Sequence, residues 1–386
     1  MKTILFSLIR AEIRGTKVDE NTLDKCKDSE DLLRLYQLSK KHDLSHLIGS
    51  ILSEYKILCK NETSTQFQQQ IILAVKRYEH KKHELNQISN LLEEAKISFV
   101  PLKGAFIQNL YSKPWLRTSC DLDILIRRED CDKTIDLLTK NGYHRMNDAS
   151  AYDYAFLTPG KVSLELHYSL SQGKEMKDVN EILEDVWNYC NPLDSYKYCN
   201  QMKNEMIVFY HVAHMAKHFI CGGCGIRPFI DLYLLRENGY CNSELLSELL
   251  KKANLIPFYQ ATMDLIRVWF DCQEHSRLTQ QMEEYVLIGG VYGTIKNSAK
   301  VKSAKGESKT TSLFKLIFLP RKNLEIIYPN LRKHPLLLPF YQVKRWFRVF
   351  NRKKRKHVSD LTNARNSVSK NESNSVRQLL EGLGLK

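Results

Sequence analysis

Apolar side chains recur at three- and four-residue spacing through the first 95 residues, with Leu32, Leu33, Leu35 and Leu38 followed by Leu47, Ile48, Ile51 and Leu52. That rhythm predicts amphipathic helices. A longer helical pattern runs from Gln68 to Lys96, carrying Ile72, Ala74, Val75, Tyr78, Leu85, Ile88, Leu91 and Leu92. At Ile97 the period changes: residues 97–102 form a short strand pattern, and Lys103-Gly104 leads into a helix predicted from Ala105 to Tyr111. Asp121-Leu122-Asp123-Ile124-Leu125-Ile126 alternates with period two, as a half-buried strand does. Glu129 to Asn141 predicts an amphipathic helix stopped by Gly142. Two further strands, Tyr152–Leu157 and Val162–His167, flank Thr158-Pro159-Gly160, a hairpin-turn signal.

From Asn204 to about Thr294 the helical pattern returns, broken by Gly222, Gly223 and Gly225. Residues 313–356 mix aromatics, prolines and bases, residues 357–375 read as a flexible linker, and Val376–Leu385 as a short final helix. The prediction is an α+β chain: a small mixed β-sheet flanked by helices, with N- and C-terminal helical regions. Its divisions fall at 1–95 (helical), 96–200 (sheet core), 201–300 (helical lobe) and 301–386 (basic, aromatic and flexible).

The 386 residues suffice for a sizeable core, and 43% hydrophobic against 26% charged residues excludes wholesale disorder. No run approaches the roughly 20 apolar residues of a membrane span. Ile4 to Ile9 has the look of a secretory h-region, but Arg10 and Glu12 interrupt it and no small-residue cleavage site follows. The expectation is therefore a first amphipathic helix of a cytoplasmic protein. Ten scattered cysteines fit reduced, mostly buried thiols better than a disulfide framework. The net charge of +14 is unevenly held: residues 291–386 carry 22 Lys and Arg against 5 acids, whereas the first 290 residues carry 36 bases and 39 acids. Attraction to nucleic acid or membrane is thus a property of the C-terminal quarter alone.

Asp121 and Asp123 share one strand face, opposite Leu122, Ile124 and Ile126, and Glu165 alternates likewise in Ser163-Leu164-Glu165-Leu166-His167. If the two strands are neighbours, three carboxylates meet at one accessible edge, a repulsion that a divalent hard cation resolves. Two such ions can activate a hydroxyl and stabilise a departing pyrophosphate. Upstream, the backbone amides at Gly104 and the ammonium of Lys103 suit an anion, and Arg117 is placed to reach the same phosphates. His167 shares the face of Glu165 and either lines the cleft or is a satisfied surface histidine.

These motifs together resemble the polymerase β-like nucleotidyltransferase superfamily. More narrowly, Leu102-Lys103-Gly104, Arg117, Asp121-Leu122-Asp123-Ile124-Leu125 and Glu165-Leu166-His167 are similar to a bacterial family of uncharacterised nucleotidyltransferases. The similarity extends through His211, His214, Arg227-Pro228-Phe229-Ile230-Asp231 and the Gly289–Gly293 segment. The resemblance implies a nucleotidyltransferase-like fold and an enzyme moving a nucleoside monophosphate from an NTP to an unidentified hydroxyl-bearing acceptor. It implies Asp121, Asp123 and Glu165 as catalytic and metal-ligating residues, with two Mg²⁺ as cofactors and Mn²⁺ as the alternative. Lys103, Gly104, Arg117, His167 and Arg227 are the expected nucleotide-binding residues. One departure from the superfamily is Gly104-Ala105, where Gly-Ser or Gly-Gly is usual.

Competing readings attach to the remaining motifs. His211, His214 and His218 lie along one helix, and His218, Cys221 and Cys224 have zinc-like spacing, although the intervening glycines serve equally as a helix stop. The expected setting of His211, His214, Arg227 and Asp231 is a helical lobe closing over the nucleotide, with Arg227 on phosphate or paired with Asp231. Residues 335–356 join Trp, Phe and Leu to a polybasic run that suits an anionic membrane surface, with nucleic acid less favoured. The alternative function is therefore a non-catalytic interaction protein of the same fold, peripheral to the inner face of the membrane and serving surface polysaccharide synthesis.

Overall fold

The computed structural model describes residues 1–149, 152–194, 196–291, 293–306, 318–328, 330–349, 363–364 and 366–385. Five helices lead: α1 (Lys2–Arg14), α2 (Glu20–Lys27), α3 (Ser29–Lys41), α4 (Ser45–Glu54) and the long α5 (Glu62–Glu94). Asp19, Asp28 and Asn61 cap α2, α3 and α5 by accepting bonds from the first-turn amides, which fixes where those helices start. Ile4, Leu5, Phe6, Leu8 and Ile9 of α1 are buried, so the apolar N-terminal run is core-forming.

The sheet follows. Strands β1 (Phe99–Pro101), β2 (Asp121–Ile126), β3 (His144–Ala149), β4 (Asp153–Leu157) and β5 (Ser163–His167) lie in the order β1-β2-β5-β4-β3. The β2–β5 pair is parallel and every other pair is antiparallel, which makes the sheet mixed. A one-turn helix α6 (Gly104–Ile107) follows β1, and α7 (Cys131–Lys140) crosses between β2 and β3. The Thr158–Lys161 turn closes the β4–β5 hairpin, with Lys161 at a positive φ of 64°. Leu122, Ile124, Ile126, Leu164, Leu166 and Phe156 turn to one side of the sheet. There they pack with Ile88 and Leu92 of α5 and Leu138 of α7. The other face carries Asp121, Asp123, Glu165 and His167.

The chain continues through α8 (Lys177–Glu184), a two-stranded ribbon of β6 (Cys190–Pro192) and β7 (Asn200–Met202), and then helices α9 (Asn204–Cys221), α10 (Arg227–Glu237), α11 (Glu244–Lys252), α12 (Ile256–Phe270), α13 (Arg277–Gly289) and α14 (Ile295–Ala304). These share a core with the N-terminal helices: Phe6 of α1 stacks on Trp269 of α12 with ring centroids 4.4 Å apart.

Several elements differ from the sequence pattern. The helix expected from Ala105 to Tyr111 is a single α turn followed by a 3-10 turn at Gln108–Leu110, too short to offer an anion a substantial dipole. β3 and the β6–β7 ribbon carry no readable alternation. The final helix spans Lys370–Gly382, starting six residues before the expected Val376, because Ser369 and Glu372 form a reciprocal capping box. The remainder of the expected 357–375 linker, apart from the described residues, and residues 350–356 of the polybasic run lie outside the described residues. All ten cysteines are free, but four are buried and four are exposed, fewer buried than expected.

Candidate functional site

Parallel pairing sets the register at the acidic edge: Asp123 of β2 stands opposite Glu165 of β5, and Asp121 opposite Ser163. Because side chains alternate, all three carboxylates and His167 emerge on one face. His167 Nε2 lies 3.0 Å from Asp123 Oδ1 and 3.4 Å from Glu165 Oε2. Among the described residues, the one group of three His, Cys, Asp or Glu donors within 4.8 Å of one another is Asp123, Glu165 and His167. Asp121 borders the same cleft but stands outside that group, so histidine takes the place expected of the first aspartate.

The cleft has a volume of about 280 Å³ and is walled on one side by Asp121, Asp123, Glu165 and His167. Lys103, His211, His214, Lys217, His218 and Arg227 face it from β1–α6 and from the helices. Each expected site residue therefore reaches one cavity. His214 Nε2 and His218 Nε2 are 2.9 Å apart, and His214 Nδ1 is 3.1 Å from Gln172 Oε1. The Lys103 ammonium sits 4.5 Å from the centroid of the Tyr210 ring.

The electrostatics follow from crowding. Burial raises the Asp121 carboxyl, and the charges of Asp123 and Glu165 raise it further. Burial would also raise Asp123, yet the bond from His167 and the nearby Lys103 and Lys81 leave it below the carboxylate norm. His167 is pushed up to about 9: burial opposes its charge, but the bonds to Asp123 and Glu165 outweigh that penalty. Lost hydration pulls the Lys103 ammonium down to about 7, with Asp123 opposing the fall and Lys217 and Arg117 adding to it. The same loss takes His218 to about 4 and His214 far below its usual value, so both are neutral imidazoles near pH 7.

Arg117 is held differently from expectation. Its Nε and Nη2 bond Asp231 Oδ1 and Oδ2 at 2.9 and 2.8 Å, and Tyr111 donates its hydroxyl to Oδ1 at 2.7 Å. A Cβ added at Gly104 would stand 3.3 Å from Arg117 Nη1, so that remaining nitrogen lies beside the glycine. The expected Arg227–Asp231 pair does not form, because Arg117 already occupies Asp231. Arg227 Nη1 instead donates to the Thr118 carbonyl and lies 3.5 Å from Asp43 Oδ2. Nor do His218, Cys221 and Cys224 gather into a metal cluster among the described residues. Gly222 and Gly223 adopt φ values of 134° and 120° and end α9, so the glycines act as the helix stop.

Lys81 is a residue that sequence reasoning missed, as are Gln172, Tyr210 and Lys217 of the cleft wall. From the middle of α5 the Lys81 ammonium donates to Ser119 Oγ and to the Asp121 carbonyl, which fixes the start of β2. Burial pulls this ammonium down to about 8, against the attraction of Asp121 and Asp123. Its only sequence signal was a base on a long polar helix face.

A small mixed sheet with an acid–histidine cluster, covered by helices on both sides, is consistent with a nucleotidyltransferase-like fold. A family model described as an uncharacterised nucleotidyltransferase matches residues 28–271, more than half of the chain, and the chain belongs to that family. No curated protein and no solved structure matches it.

Proposed function

We propose that this chain transfers a nucleoside monophosphate from an NTP to a hydroxyl-bearing acceptor. The observation that carries the reading is the register of β2 on β5, which sets Asp123 against Glu165 at the mouth of a cleft whose other wall is basic. The donor set suits divalent metal: three carboxylates crowd one face, where burial and then the charges of Asp123 and Glu165 raise Asp121, and a cation relieves that crowding. Asp121, Asp123 and Glu165 would hold Mg²⁺ or Mn²⁺. Bound there, the metal would neutralise the charge that develops on the phosphates.

The chain's own groups do the rest. Lys103, the Gly104 amide, Arg117 Nη1 and Arg227 face the triphosphate. The acceptor oxygen attacks the α-phosphorus as the bond to the β-phosphate bridging oxygen breaks. Pyrophosphate leaves, and the acceptor proton passes to Glu165, whose side chain is 40% exposed. The neutral His214 and His218, bonded to each other through their Nε2 atoms, stand across the cleft.

The test is calorimetry of NTP binding with and without Mg²⁺, together with pyrophosphate release in the presence of lysate acceptors. Wild type should bind only with metal, and Asp121→Asn/Asp123→Asn should lose roughly 100-fold or more in affinity, since charge neutralisation by metal contributes several kcal/mol. Unchanged binding in that double variant would remove the metal site from the reading.

A further inference from the structure

Residues 318–349 form a small helical unit with its own core. The helices Arg321–Ile327, Asn330–Lys333 and Leu338–Val349 pack around buried Leu324, Tyr328 and Leu331, with Leu319, Leu338 and Tyr341 against them. Tyr328 and Tyr341 stack at 4.7 Å, and Gln342 donates to the Leu319 carbonyl at 2.6 Å. These contacts settle which side of the Leu338–Val349 helix faces inward. The other side, with the turn before it, presents Leu336, Leu337, Phe340 and Val343 at 94%, 41%, 60% and 42% exposure. Four large apolar side chains on one surface, spaced 336, 337, 340 and 343, are not the scatter of single exposed residues that any surface shows.

The segment that carries this face is basic. The stretch 318–349 holds seven Lys and Arg but a single acid, Glu325, which is taken by Arg321 at 2.6 Å. Lys333 and Lys344 are exposed, and the Lys344 ammonium lies 5.8 Å from the centroid of the Tyr328 ring. In sequence, Arg352-Lys353-Lys354-Arg355-Lys356 follows after Phe350 and Asn351.

We infer that this face docks on an anionic lipid surface. Aliphatic and phenyl side chains would enter the boundary between headgroups and acyl chains while the lysines of the segment meet lipid phosphates. The apolar face is largely aliphatic, which offers nucleic-acid bases little to stack on, and the basic segment matches an anionic bilayer in sign. No helix among the described residues is long and apolar enough to cross a membrane.

The experiment is co-sedimentation of the full chain with vesicles of phosphatidylcholine alone or mixed with phosphatidylglycerol. Binding to the anionic vesicles should be tighter by roughly tenfold or more, given the several bases of the segment. Leu336→Ser/Phe340→Ser should weaken it by roughly tenfold or more, since two large apolar side chains would no longer enter the bilayer. Both positions are exposed and outside the small core, so the far-ultraviolet circular dichroism should not change; Leu336→Ser alone serves as a second variant if the pair misfolds. Lys333→Ala/Lys344→Ala should weaken anionic binding and leave neutral binding as it was. The inference is overturned if the two vesicle types bind alike. It is equally overturned if the serine variants bind as wild type, or if the apolar substitutions instead abolish self-association or binding of an RNA oligonucleotide.

Discussion

Removing the Asp231 carboxylate should destabilise the fold more than any change at the cleft surface. Arg117 is 9% and Asp231 1% exposed, joined by two bonds of 2.8–2.9 Å, with the Tyr111 hydroxyl donating to the same carboxylate. Asp231→Ala leaves a guanidinium buried without a counter-charge, which costs about 3–5 kcal/mol, and it strands a buried hydroxyl at about 1–3 kcal/mol. The two losses share one acceptor and do not add fully, so we expect about 4–5 kcal/mol. Arg117→Met/Asp231→Leu removes both charges and should fall within about 2 kcal/mol of wild type apart from the Tyr111 hydroxyl. Urea unfolding followed by circular dichroism at pH 7 reads both variants. Burial would raise Asp231, but Arg117 and His211 hold it below the ordinary 3.8. Its contribution is therefore complete at pH values above 3.8 and disappears as pH falls through the lower folded value. A loss under about 1 kcal/mol in Asp231→Ala would refute the reasoning. It would mean that the guanidinium finds water or another partner once the carboxylate is gone.

Two further outcomes test other parts of the structure. His167, raised to about 9 by Asp123 and Glu165, contributes stability that is full below pH 6.5 and lost as pH rises through 9. With metal chelated, wild type should lose stability across that window, by about 3 kcal/mol at most, and His167→Asn should show no such slope. Gly293 has a φ of 76°, and a Cβ there would lie 2.5 Å from the Gly222 carbonyl oxygen. Gly293→Ala should lower the thermal midpoint at a cost of about 2 kcal/mol or more, and an unchanged midpoint would mean that the two segments separate freely.

The sheet and its acids were legible because alternation is a local signal. Asp121-Leu122-Asp123-Ile124 and Ser163-Leu164-Glu165-Leu166 each declare a face, and only the pairing of the two strands had to be supposed. His144-Arg145-Met146-Asn147-Asp148-Ala149 has no alternating apolar set to declare, so β3, one of the two edge strands, was invisible. The last helix was misplaced because Lys-Asn-Glu-Ser-Asn-Ser reads as linker by composition, although Ser369-x-x-Glu372 was a capping signal in plain sight. The partners of Arg117 and Lys81 could not be read at all. They are separated from their own partners by 114 and 38–40 residues, and no period or spacing encodes such pairings.

Those long-range ties converge on one short segment. His46 of α4 bonds the Leu116 carbonyl at 2.8 Å, Asp43 accepts from the Thr118 hydroxyl at 2.8 Å, and Arg227 of α10 donates to the Thr118 carbonyl. Lys81 of α5 holds Ser119 and the Asp121 carbonyl, and Asp231 of α10 holds Arg117. The connection that delivers Asp121 and Asp123 to the cleft is thus fixed by three helices and a loop, from both sides of the sheet in sequence. A loop pinned this way places carboxylates with little freedom to lose on binding a ligand, which is what a preorganised charged site requires. The family match begins within the capping turn of α3 and ends one residue past α12, and every one of these anchoring side chains falls inside it. On this argument the helices on either side belong to the functional unit as much as the strands do, and excising the sheet alone would release the segment that orients its acids.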